Sequence, residues 1–139
     1  MEKFKMRHAM LLALVFTMLT FSVSVSAQET KPNPFENLDT AIPEGIQLLE
    51  KKEYVKFLSN FVTPSDLAEI KKTMKLEDLA KMFGGSRGAD MLKVFKEIEK
   101  AKPELSDDGK NATYKLKAPI NNKDEITFVK IKKLWHIKN

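Results

Sequence analysis

Cysteine is absent from the 139-residue chain, which removes thiol nucleophiles, thiolate metal ligands, redox chemistry and disulfides together. Histidine is nearly absent: His8 lies near the N-terminus and His136 near the C-terminus, too few for a histidine-rich zinc site. Arginine is as scarce, with Arg7 and Arg87 against 22 lysines. Recognition of bases and phosphates favours the planar, bidentate guanidinium. The lysines are also interleaved with acids throughout, so the charge reads as a solvating surface and argues against nucleic acid as a partner. Catalytic signatures are missing too. There is no Gly-x-Ser-x-Gly elbow, and "GGSRG" (Gly84 to Gly88) lacks both the Lys-Ser/Thr of a phosphate loop and a strand before it. No motif implies a cofactor or a metal.

What is present begins with "MEKFKMRHAMLLALVFTMLTFSVSVSAQET". Lys3, Lys5 and Arg7 form a basic head, Ala9 to Phe21 is an uncharged apolar run, and Val25-Ser26-Ala27 suits a signal peptidase. The run has 13 residues, short for a membrane span of about 20. The absence of cysteine also excludes a lipid-anchored lipoprotein. Residues 1–27 are therefore expected to be a secretory signal peptide. The product is exported, periplasmic or secreted, with no membrane span after cleavage. The remaining 112 residues carry +3 of the whole chain's +5 charge and suit one domain. Residues 28–39 read as a polar lead-in and 40–139 as a single domain.

Within that domain Thr40 suits a helix cap with Pro43 in the first turn. Ile42, Ile46 and Leu49, then Tyr54, Phe57, Leu58 and Phe61, recur at helical spacing on either side of Lys51-Lys52. "TPSDLAEI" starts a new helix at Thr63, with Leu67 and Ile70 facing inward. Leu76, Leu79, Ala80 and Phe83 make a further stripe that Gly84-Gly85 should end. Ser86 should cap the next helix, whose apolar face carries Met91, Leu92, Val94, Phe95 and Ile98. Past Pro103 the period changes from 3.6 to 2. Asp108-Gly109 and "NNKD" are turns, "NATYKLKAP" and "EITFVKI" are strands, and Lys132-Lys133 joins the latter to "LWHIK". A short strand between Lys102 and Ser106 would bring the sheet from three strands to four. The expected class is α+β, with N-terminal helices packed on a C-terminal curled antiparallel sheet.

"ITFVKIKKLWHIKN" and "LEKKEYVKFLSNFVTPSDLAEI" resemble the closing hairpin and helical opening of small exported bacterial proteins of the cystatin-like or NTF2-like superfamily. The resemblance covers residues 35 to 139. It implies a concave sheet with a pocket beneath the helices and no particular activity. Lys132-Lys133 departs from the Gly, Asp or Asn usual in that last turn.

Trp135 carries the clearest structural role, since burial of its roughly 200 Å² against the helices would close the terminal hairpin. The alternation sets it opposite Val129 or Ile131 and turns His136 to solvent. The strand's lysines would keep a free edge from pairing with other chains. Tyr54, Phe57, Phe61, Tyr114, Phe128 and Trp135 are the candidates to line a ligand pocket, although Tyr54 and Tyr114 are more simply explained as core aromatics with a hydroxyl at the rim. The function expected is an exported binding or interaction domain, non-enzymatic, for a small apolar ligand or a protein partner. An alternative is a pocket enzyme of isomerase or dehydratase type, with Tyr54, Tyr114 or His136 beside a buried carboxylate. A homodimer through the exposed sheet face is a third option.

Overall fold

Helix α1 (Leu38–Glu50) begins at Asn37, whose side chain accepts the Asp39 amide at 2.9 Å. Thr40 is not the cap, because Asn37 is the stronger capping residue and comes first. The Thr40 hydroxyl instead donates to the Pro34 and Asn37 carbonyls at 2.6 and 2.9 Å. Pro43 therefore lies inside the helix. The lead-in is anchored as well: Pro34–Glu36 forms a 3-10 turn, and Phe35 is buried edge-on to Phe61 at 5.4 Å. These features come from a computed structural model that describes residues 30–139. The expected leader and its cleavage site lie outside the described residues.

Lys51-Lys52 divides two helices, α1 and α2 (Tyr54–Phe61). The Glu53 amide donates to the Leu48 carbonyl at 2.8 Å and the Lys52 amide to the Leu49 carbonyl at 3.1 Å. These paired bonds define a Schellman stop, whose left-handed position is usually glycine; here it is Lys52, at φ 57°. Helix α3 (Pro64–Thr73) starts as the sequence suggests, with the Thr63 hydroxyl accepting the Asp66 amide at 3.2 Å. Helix α4 (Leu76–Ser86) runs straight through Gly84-Gly85, and α5 (Gly88–Ile98) follows after Arg87 alone. Ser86 does not cap; its hydroxyl donates back to the Met82 carbonyl at 2.7 Å.

The strands β1 (Glu104–Leu105), β2 (Asn111–Ile120), β3 (Lys123–Ile131) and β4 (Leu134–Ile137) form an open antiparallel meander in that order. Helices followed by a four-stranded sheet make the class α+β, as expected. Asn121 and Asn122 both take positive φ, 51° and 61°, the signs a two-residue type I′ turn requires. Just before that turn the register slips, so that Leu116–Pro119 stand against Asp124 alone. The ladder loses partners there, and the freed Lys117 amide donates to the Glu97 carboxylate of α5. The side-chain amide of Asn121 donates to Asp90 of the same helix at 3.0 Å.

At the last hairpin Lys132 carries positive φ, 58°, and the two-residue connection pairs Ile131 with Leu134. Trp135 then stands opposite Lys130 rather than Val129 or Ile131, with the ammonium 5.5 Å from the indole. The outer side of β4 is not a bare edge, since Val62 bridges Ile137 in parallel. Ala112, Tyr114, Ile126, Phe128, Trp135 and Ile137 share one face of the sheet. Phe57, Phe61, Phe95 and Ile98 pack over it, all effectively out of solvent. Among the described residues no helix is long and apolar enough to cross a membrane.

Candidate functional site

Five of the six candidate pocket residues pack on one another. Phe57, Phe61, Tyr114, Phe128 and Trp135 all belong to the buried core cluster. Phe61 lies 4.7 Å from Phe57 and 6.4 Å from Phe128 between ring centroids, and Tyr114 lies edge-on to Phe128 at 5.9 Å. Their side chains occupy the space between helices and sheet where a ligand would have gone. Burial raises the Tyr114 phenol's pKa above its ordinary value, and the negative charge of Asp39 adds to the rise.

His136 is buried rather than solvent-facing. The alternation along β4 does place it opposite Trp135, but the chain between Asn60 and Val62 covers that second face. Burial lowers its pKa below the ordinary 6.5, against smaller raising effects of the backbone at Asn60 and Val62. Its Nδ1 has no hydrogen-bond partner among the described residues. No carboxylate among the described residues hydrogen-bonds Tyr54, Tyr114 or His136, so none of them has the partner that would tune it as an acid or base. Nor do three His, Asp or Glu side chains among the described residues converge as a metal set.

Tyr54 is placed differently. It opens α2 directly after the Schellman stop, stacks edge-on to Phe83 at 5.6 Å, and lays its ring on the α4–α5 joint. Gly84 and Gly88 make that approach possible. A Cβ on Gly84 would overlap the Tyr54 ring, and one on Gly88 would sit 2.9 Å from its hydroxyl oxygen. The "GGSRG" segment is thus a seat for an aromatic ring rather than a helix stop.

Beside Tyr54 runs an open groove of about 620 Å³. Leu49, Ala80, Ala89 and Leu92 give it apolar surface, and Glu50, Lys52 and Lys81 stand at its edges. The acids nearest Lys52 are paired. Glu50 is held by Lys96 at 2.7 Å and the nearby Glu53 by Lys56 at 2.7 Å. The hydrogen bond from Lys56, with the charges of Lys56 and Lys51, keeps the Glu53 carboxyl below its usual pKa. Lys52 and Lys81 are exposed and have no ion-pair partner among the described residues. The groove can therefore hold an apolar group against an aromatic wall and present two ammonium groups to an acid. A second depression, of about 560 Å³, is lined by Lys71 to Glu77 alone. One continuous stretch of chain makes it, so it is the inner bend of the α3–α4 turn.

Sequence reasoning found Tyr54 but not Lys52, Lys81, Gly84 or Gly88 as its neighbours. The signals were a lysine pair interrupting one apolar stripe and a glycine pair interrupting another; that the two breaks meet is a tertiary fact. No family model matches the chain, and no curated protein or solved structure matches it.

Proposed function

We propose that the chain is an exported, non-enzymatic binding domain whose binding surface is the groove beside Tyr54, not a hollow beneath the helices. The observation that carries this reading is the contrast between the two places. The interior is filled by Phe57, Phe61, Phe95 and Phe128, whereas the groove combines an aromatic wall, apolar surface and two lysines that have no ion-pair partner among the described residues. Concave apolar surface with a few placed polar groups is what ligand sites commonly have. The order of helices and then a four-stranded meander supports the cystatin-like or NTF2-like relationship as part of the same proposal. The pocket-enzyme alternative needs a carboxylate beside Tyr54, Tyr114 or His136 in a closed apolar cavity, and among the described residues no carboxylate hydrogen-bonds any of the three.

An amide NMR titration with anilinonaphthalene sulfonate, an apolar anion, tests the reading. Shifts should gather on Leu49 to Tyr54, Ala80 to Gly88 and Leu92. Shifts centred on Tyr114, Phe128 and Trp135 would return the site to the interior and overturn it.

A further inference from the structure

We infer that the groove receives an acidic segment of a partner protein, with one aliphatic side chain against Tyr54 and flanking carboxylates on Lys52 and Lys81; this rests on the groove being the binding surface. Charge is the first argument. Glu50 in the groove is engaged by Lys96 and the nearby Glu53 by Lys56, and Lys52 and Lys81 form no ion pair among the described residues, so both are available to an incoming anion. Backbone strain is the second. Lys52 occupies a left-handed position at φ 57° that glycine would take with less strain. Lys132 shows the same φ in a hairpin, so strain alone marks nothing. What distinguishes Lys52 is that the strained residue is itself part of the lining of the groove. Shape is the third argument. Small-molecule sites enclose most of their ligand, while this groove is an open trough built from α1, α2, α4 and α5. An open trough suits a length of polypeptide that enters and leaves it.

The test is fluorescence anisotropy on the full chain with a labelled dodecapeptide of glutamates bearing leucines at i and i+4. A lysine-for-glutamate version and dodecanoate serve as the comparison arms. The acidic peptide should bind with an affinity that falls as salt rises, and the lysine version should not bind. Lys52→Gly and Lys81→Ala should each weaken binding about two- to fivefold, the range of solvent-exposed ion pairs. Lys52→Gly should at the same time raise the melting temperature, because glycine relieves the left-handed strain. A stabilised variant that binds less well separates a recognition role from a folding role.

Equal binding of both peptides at the groove, or binding indifferent to Lys52→Gly and Lys81→Ala, would overturn the acidic partner while leaving the groove as the site. Tighter, peptide-displacing binding of dodecanoate would replace the partner segment with a small acidic amphiphile. If no probe, the naphthalene dye included, perturbs the groove, the binding surface itself is wrong.

Discussion

Helices α2 and α3 follow one another in the chain, and both carry apolar residues at helical spacing, yet their fates diverge. Helix α2 buries Phe57, Leu58 and Phe61. Helix α3 buries nothing, and its Leu67 and Ile70 are only half-covered and lie outside the core cluster. The expectation that both faced inward fails for α3. A stripe shows which side of a helix is apolar; whether another element meets that side is decided elsewhere in the chain. Here α2 is enclosed by α1, α4, α5 and the sheet, whereas α3 is an arm tied to the rest by Thr63 at one end, the α4 turn at the other and an exposed hydrogen bond from the Asn139 side chain to Asp66 at 3.1 Å.

Core truncation should widen the contrast most. Phe61→Ala and Trp135→Ala are each expected to cost about 3–5 kcal/mol in urea unfolding, a large share of the stability of a domain this size. A shift of under about 1 kcal/mol for either would mean that the rings are not tightly packed. Gly84→Ala should be the next largest. The added methyl group meets the Tyr54 ring, for which overpacking costs about 1–3 kcal/mol, partly offset by the better helix propensity of alanine. A stabilised Gly84→Ala protein would show that Tyr54 does not rest on that helix.

His136 links the two regions, because the corner leading to α3 is what buries it. Its folded pKa lies below the unfolded value, so as pH falls the unfolded chain takes up the proton first. The stability due to the neutral imidazole is therefore complete above about pH 7 and is lost as pH drops through 6.5 toward the lowered folded value. Melting temperatures at pH 7.5 and 5.5 should differ, and His136→Gln should reduce the difference. An identical pH dependence in that variant would remove His136 from the account. The smallest effect belongs to the arm: Leu67→Ala should cost less than about 1 kcal/mol by the same unfolding assay. A loss like that of Phe61→Ala would place α3 in the core after all.

Much of the architecture was legible because local chemistry and tertiary packing agree. Thr63-Pro64 starts a helix, Asn121-Asn122 turns a hairpin, and the change of period near Gly109 separates helices from strands. Errors arose where a residue's surroundings come from distant chain. His136 alternates toward the outer face as expected, but the backbone at Asn60 and Val62, far away in sequence, lies against its imidazole. Gly84-Gly85 carries the composition of a helix stop, yet the helix continues and Gly84 admits Tyr54 from another helix. The candidate site was legible only in pieces for the same reason. Tyr54 belongs to an apolar stripe like its neighbours, and nothing local separates a ring on a glycine seat from a ring in the core.

Native-state hydrogen exchange measured amide by amide examines the interior and the arm together. The amides of Phe57–Phe61, Phe95–Ile98 and Ala112–Tyr114 should exchange only through global unfolding, and those of Leu67–Thr73 should exchange through far cheaper local opening. Equal protection of α3 and the centre, or rapid exchange at the centre itself, would contradict an interior closed by its own rings.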